Sequence, residues 1–367
     1  MKVLAIIDSF KGTITSKELG KITKEQLAKR FIACDFFSIS DGGDGFLECI
    51  EPLIAAIKVK CQIYDPLFRE IETYYLKDAN DCAYIEMALA SGINLLQTNE
   101  LNPYQTSTYG TGQLIKKALS NGAKKIVVGI GGSATNDGGA GMLEALGVKF
   151  FRGSEMLTKM NCQKLDLITD IDITDFLRMI SGKEIVILND VKNPLLGING
   201  ATYVFSPQKG SRTEDLVIIE AKMQHYARIC LQIFGVDNSC FPGAGAAGGL
   251  GFAFKTFFKA AFHQGINYIL DLMDFDNLIT DYDYIITGEG KIDQQSLFGK
   301  VVFAITKRAL DKKVIVVCAV NELTDKQIAD SKITKVYSIV PSLATAKESL
   351  HSPQKYYSLL CDNINVK

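Results

Sequence analysis

Six short segments of the 367-residue chain set glycine beside acids, hydroxyls or lysine: DSFKG from Asp8, DGGDG from Asp41, GIGGSATNDGG from Gly129, DVKNPLLG from Asp190, PGAGAAGG from Pro242 and TGEGKIDQQSLFGK from Thr287. Glycine in such a loop lets backbone N–H groups approach an oxyanion, and a helix N-terminus behind it adds a favourable dipole. Phosphate is the natural guest. The carboxylates of Asp8, Asp41, Asp44, Asp137, Asp190, Glu289 and Asp293 lie within or at the entrance of these loops, and Lys11, Lys192, Lys209, Lys291 and Lys300 are the cations near them. Phosphoryl transfer needs acids that hold Mg²⁺, one acid that accepts the proton of the attacked hydroxyl, and cations that neutralise the transferred group. Any one of the acids is better explained as a cap on the following helix, but the whole set is not.

Known phosphate-binding patterns fit only partly. Gly129, Gly131 and Ala134 have the GxGxxA spacing of a dinucleotide loop after a strand, and Gly243, Gly245 and Gly248 have GxGxxG spacing with no strand before them, which a tight helix-packing turn explains equally well. No GxxxxGK[ST] loop and no HRD or DFG element occurs, so a P-loop enzyme and a protein kinase are both excluded.

The elements that must position these loops alternate. KVLAIID is a short β-branched run that suits a buried parallel strand. After it, Thr15 and Glu18 have capping-box spacing ahead of the apolar stripe Leu19, Ile22, Leu27 and Phe31. Strands are likewise expected at Lys125–Ile130, Glu184–Asp190, Asp283–Gly290 and Val314–Val320 and from Val336, with helices between them. The class is α/β with parallel sheets, whose ligands gather beyond the strands' carboxyl ends. Period-2 alternation near Glu70 to Leu76, with a turn at Asp78 to Asp81, marks a hairpin that interrupts the rhythm. A domain boundary is expected there, and the tail from Ser349 is expected to be a surface helix.

With 40 Lys+Arg against 41 Asp+Glu the chain has no global field to attract nucleic acid or an anionic membrane. The first apolar run is too short for a signal-peptide core, and no stretch approaches a membrane span. Nine scattered cysteines without CxxC spacing read as reduced thiols, and the three histidines lack zinc-ligand spacing. A cytoplasmic location follows.

Taken in order, the segments resemble the bacterial type I glycerate kinase family. The resemblance runs from DSFKGTITSKE through DGGDG, IEMALASG, STYGTGQLI, GIGGSATNDGGAGM, DVKNPLLGINGA, VFSPQKG and PGAGAAGGLG to ITGEGKIDQQSLFGK, nearly the whole chain. Two departures stand out: Asp44 and Phe46 replace an expected Glu and Thr, and NELTD replaces a glycine-bearing turn after VIVVCAV. The resemblance implies ATP- and Mg²⁺-dependent phosphorylation of D-glycerate, with 2-phosphoglycerate favoured over 3-phosphoglycerate. It also implies two different α/β domains with an interdomain cleft, the first discontinuous. The expected limits are residues 1–60 plus 285–367, and 61–284, the second carrying the main glycine-rich loops.

On this resemblance Asp190 is the base on the glycerate hydroxyl, and Lys11 and Asp293 complete the catalytic set. Gly131, Gly132, Ser133, Thr135 and Asn136, with Gly243, Gly245 and Gly248, are expected to hold the nucleotide. Asp137, Asp190 and Glu289 are expected at the metal, and Ser9, Asp41, Asp44, Glu289, Ser296 and Lys300 around the substrate. Oligomeric state is left open, a homodimer included. Two other classes compete: an NAD(P)-dependent oxidoreductase of a small hydroxy acid using GIGGSA as its dinucleotide loop, and a non-catalytic nucleotide-binding sensor.

Overall fold

A computed structural model describes residues 1–297 and 301–366. Among them the strands in chain order are β1 (Lys2–Ile7), β2 (Ala33–Ser38), β3 (Ala56–Tyr64), β4 (Glu70–Asp78), β5 (Cys82–Glu86), β6 (Lys125–Gly129), β7 (Lys149–Arg152), β8 (Glu155–Leu157), β9 (Asp170–Asp172), β10 (Glu184–Leu188), β11 (Ala261–His263), β12 (Tyr284–Ile292), β13 (Lys313–Asn321) and β14 (Ile333–Val340). The fold is mixed α/β. The chain falls into two compact units, one of residues 1–41, 48–53 and 265–367 and one of 42–47 and 54–264. Compared with the expected limits, β3 falls in the second unit and residues 265–284 in the first.

The first unit is built on a five-stranded sheet in the order β14-β13-β12-β1-β2, every neighbouring pair parallel. Its interior strand β1, between β12 and β2, is apolar on both faces, and Val3 through Ile7 are almost wholly buried, as a strand covered on both sides requires. The helix Ser16–Ala28 starts on the Thr15/Glu18 capping box that its spacing predicts. The C-terminal helix Pro353–Asp362 lies at the surface as expected, with Gln354, Lys355, Leu359 and Asp362 exposed, and buries its other face. Its Tyr357, Leu360 and Cys361 are at most 2% exposed, because Tyr357 packs edge-on against Phe10 at 5.6 Å and its hydroxyl meets Thr23 at 2.7 Å.

The second unit holds a six-stranded sheet in the order β11-β10-β6-β5-β4-β3, parallel from β11 to β5 and antiparallel across β5, β4 and β3. The predicted hairpin, with its turn at Asp78 to Asp81, is the β4–β5 pair, Leu76 opposite Tyr84 and Lys77 opposite Ala83; a longer antiparallel pair, β3–β4, precedes it, in register from Ala56 opposite Asp78 to Tyr64 opposite Glu70. A small antiparallel sheet, β8-β7-β9, sits in the same unit. Among the described residues no helix is long and apolar enough to cross a membrane.

Candidate active site

In the first unit the chain leaves β1 towards β2 on one side of the sheet, and leaves β12 towards β13 and β14 on the other. The strand order therefore reverses between β1 and β12, and in open α/β sheets ligands bind beyond the carboxyl ends at such a point. Asp8 follows β1 there, and its N–H donates to the Gly288 carbonyl of β12 at 2.9 Å. Glu289 comes next on β12, and Asp41 follows β2. Ser16, which sequence reasoning did not single out, ties these ends together. Its hydroxyl donates to the Ile7 carbonyl at 2.6 Å and accepts the Ile39 N–H at 2.8 Å.

Lys11 is presented by a tight turn in which Thr13 and Ile14 both donate their N–H to the Phe10 carbonyl, with Gly12 at φ +77°. Its ammonium lies 3.2 Å from Asp41 Oδ2 and its side chain is 76% exposed, so the pair adds little stability. Asp8, Ser9, Lys11, Asp41 and Glu289 line one cavity of about 390 Å³. Burial raises the Asp8 carboxyl to about 7, the Asp41 and Glu289 carboxylates adding to the rise while Lys11 and the Ser9 N–H oppose it.

Asp293 and Ser296 instead cap their own turn: Asp293 N–H donates to Ser296 Oγ at 3.2 Å and Ser296 N–H to Asp293 Oδ1 at 3.3 Å. Ser296 is wholly buried. Lys291 pairs with Glu322 at 2.9 Å. Lys300 lies outside the described residues.

In the second unit the loop after β6 packs the Cβ sides of its glycines against the DGGDG turn. A Cβ on Gly131 would sit 2.5 Å from Gly43 Cα, and one on Gly132, at φ +77°, would sit 2.2 Å from Asp44 Oδ1. Asp44 is held by the Asn94 amide at 3.1 Å. The DGGDG turn is pinned by Glu86, which accepts from Gly45 N–H at 2.9 Å and Leu47 N–H at 3.0 Å. Its only signal in sequence is an acid closing the apolar strand CAYIE.

Asp137 is fully buried and accepts four hydrogen bonds, from Thr108 N–H and Oγ1 at 2.8 Å each, Gly139 N–H at 3.0 Å and Gly141 N–H at 3.2 Å. Burial raises its carboxyl above the usual range although all four bonds oppose that. Lys209, 2% exposed, donates to Ser133 Oγ and to the Thr135 carbonyl, both at 2.7 Å. Burial lowers its ammonium to about 7, with Asp137 opposing. Thr135 and Asn136 are fully buried beside it.

The second glycine run is equally committed. A Cβ on Gly243 would meet the Asn189 amide at 2.5 Å, on Gly245 the Pro194 carbonyl at 2.2 Å, and on Gly248 the Thr135 carbonyl at 2.0 Å. Gly245 and Gly248 are glycine because backbone lies against backbone, and Gly243 because a side chain closes on it at φ +101°. Asp190 follows β10, and both its carboxylate oxygens are shielded from solvent.

Among the described residues no three His, Cys, Asp or Glu side chains form a closed metal-binding group. Mg²⁺ does not require one, since it keeps waters and substrate phosphates and takes only one or two carboxylates. The Asp8, Asp41 and Glu289 set fits that demand, and the Asp8 carboxyl, raised first by burial and then by its acidic neighbours, is one that a cation would return to the charged form. Asp137, its oxygens occupied by four protein donors, does not fit.

Residues 3–366 match the model of the glycerate kinase family. The chain is 35% identical to a glycerate kinase of Bacillus cereus, covering 99% of this chain and 97% of that one, and 34% identical to a glycerate 2-kinase of Escherichia coli K12, covering 95% and 93%. Its fold is similar to a crystal structure described as that of a glycerate kinase 2 from Salmonella typhimurium LT2, with a TM-score of 0.80 and 30% identity over 99% of this chain and 96% of that one. The chain belongs to the glycerate kinase family of enzymes.

Proposed function

We propose that this enzyme transfers the terminal phosphoryl group of ATP to D-glycerate, with Mg²⁺, and forms 2-phosphoglycerate. The observation that carries the reading is the meeting of Asp8, Lys11, Asp41 and Glu289 around one cavity at the switch point of a parallel sheet. The preference for the 2-hydroxyl rests on the relative named glycerate 2-kinase.

Asp8 and Glu289 are the proposed holders of Mg²⁺, with Asp41 beside them. Bound there, the cation would neutralise charge on the phosphates. Lys11, paired with Asp41 in a flexible exposed contact, swings to the transferred phosphoryl or to the glycerate carboxylate. Ser9, whose N–H fixes Asp8 Oδ1 at 2.8 Å, keeps that carboxylate oriented. Asp190 is the proposed base on the 2-hydroxyl, its oxygens shielded from water as a base in a dry site should be.

The Gly131–Asp137 and Gly243–Gly248 loops serve as scaffolding in this reading, because close packing at the Cβ positions of Gly131, Gly132, Gly243, Gly245 and Gly248 already accounts for those glycines. An ATP-consuming enzyme whose nine cysteines are all free thiols works in the cytoplasm.

The test is a coupled ADP-release assay with D-glycerate, ATP and Mg²⁺ on the wild type and Asp190→Ala, with the product's phosphate position read by NMR. Glycerate-dependent ADP release that falls by ~10² or more in the variant supports both the reaction and the base. No turnover with glycerate would sink the reading, and full activity in the variant would remove Asp190 from it.

A further inference from the structure

The cavity that holds the acids has a second, chemically different side. Phe10, Ala319, Val320, Val340, Ala346 and Leu350 line it with hydrocarbon. Val320 and Val340 are register partners at the carboxyl ends of β13 and β14, so they form one apolar floor. Leu350 stands at the rim with 68% of its surface exposed. Ser349, buried at 6% exposure, adds one hydroxyl to this lining.

We propose that the apolar side of this cavity holds the purine base of the nucleotide, so that the base binds within the first unit beside the acids that take its phosphates and Mg²⁺. The inference rests on the kinase reading and names where its nucleotide sits.

Four considerations carry it. The cavity, at about 390 Å³, lies in the range of sites that enclose cofactor-sized molecules, and a three-carbon acid would leave most of it empty. Glycerate carries an oxygen on every carbon, so it has no apolar face to set against two valines, a phenylalanine and a leucine. A nucleotide has a flat apolar base at one end and an anionic tail at the other, which matches a cavity with hydrocarbon on one side and Asp8, Lys11, Asp41 and Glu289 on the other. In the glycine loops of the second unit, the alternative place for a nucleotide, protein atoms stand 2.5 Å or less from where a Cβ would be on Gly131, Gly132, Gly243, Gly245 and Gly248, so close packing accounts for those glycines without a ligand.

The experiment uses the full-length protein and two independent readouts. Azido-ATP with its photoreactive group on the purine is crosslinked to the wild type with Mg²⁺, and the labelled peptides are mapped. Label on residues 319–350, competed away by ATP, is the expected result. Label confined to the Gly131–Asp137 or Gly243–Gly248 peptides would overturn the inference, and so would the absence of ATP-competed label.

In parallel Ala346→Trp, on an exposed helix position, fills the apolar side. Its Kd for ADP, read with a fluorescent ADP labelled on the ribose, should rise roughly tenfold or more, while inhibition by tripolyphosphate, which has no base, stays within about twofold. Equal losses for both ligands, or no loss for either, would overturn the inference. Because binding and labelling need no glycerate, the two readings fail separately. ADP bound at this cavity without glycerate turnover sinks the kinase reading alone, and turnover with the base elsewhere sinks only this one.

Discussion

The Lys209 amino group donates to the Ser133 hydroxyl at 2.7 Å, inside the protein and next to the fully buried Asp137. A second 2.7 Å bond to the Thr135 carbonyl makes Lys209 the brace of the loop that follows β6. Lys209→Met keeps the volume but leaves two buried acceptors without this donor, and should cost about 2–3 kcal/mol at pH 8. The pH dependence follows from the lowered ammonium. With a folded value of about 7 below the unfolded 10.5, the contribution of Lys209 is complete above 10.5 and is lost as pH falls through 7. Urea titrations of wild type and variant should therefore show a gap that narrows from pH 8 to pH 6. A gap independent of pH would show that Lys209 stays charged in the folded protein.

Asp137 sits where a metal ligand was expected and has the contacts of a structural anchor. Its four protein donors tie Thr108, Gly139 and Gly141 into one knot, so Asp137→Ala leaves those donors unsatisfied and should destabilise by about 3 kcal/mol or more. At a temperature where the variant is still folded, the Mg²⁺ concentration for half-maximal activity should match the wild type. A tenfold rise in that concentration would return Asp137 to the metal.

The order of elements was legible because local chemistry writes it. The Thr15/Glu18 box begins a helix and the buried run at Val3–Ile7 forms an interior strand, as their spacing and composition imply. What escaped was decided by residues far apart in the chain. The face that the C-terminal helix buries is set by Tyr357 against Phe10 and Thr23. The glycines of GGSATNDGG and PGAGAAGG resemble a phosphate cradle because glycine serves close approach of any kind, and only the atoms opposite tell ligand from backbone. Asp8 reads like any other acid at a strand end. Its distinction is burial beside Asp41 and Glu289, and Ser16 and Glu86 matter only through the chain ends they join.

Two glycines with nearly the same backbone conformation should respond differently to alanine. Gly12, at φ +77°, has open space where a Cβ would point, so Gly12→Ala should cost only the conformational term of about 1 kcal/mol. Gly248, at φ +66°, would place its Cβ 2.0 Å from the Thr135 carbonyl and 2.7 Å from Asn136 Cα. Backbone cannot swing aside as a side chain can, so Gly248→Ala should cost about 3 kcal/mol or more, or fail to accumulate as folded protein. Similar thermal shifts for the two would mean that the contact at Gly248 relaxes easily.

Asp8 gives the most direct physical test of the acid cluster, because it needs neither substrate nor turnover. Its carboxyl, raised to about 7 from an ordinary 3.8, favours the protonated form in the folded protein. The folded state then binds more protons than the unfolded chain between those values, so this group's contribution to stability is complete below 3.8 and is lost as pH rises through 7. Asp8→Asn, which is neutral at every pH, should be stabilised relative to wild type at pH 8 and little changed at pH 4. Mg²⁺ should raise the melting temperature of the wild type at pH 8 by offsetting the same repulsion, and should raise it less at pH 5, where Asp8 holds a proton that the cation must displace. If Mg²⁺ stabilises Asp8→Asn as strongly as the wild type, the cation binds without Asp8, and Glu289 and Asp41 must hold it between them.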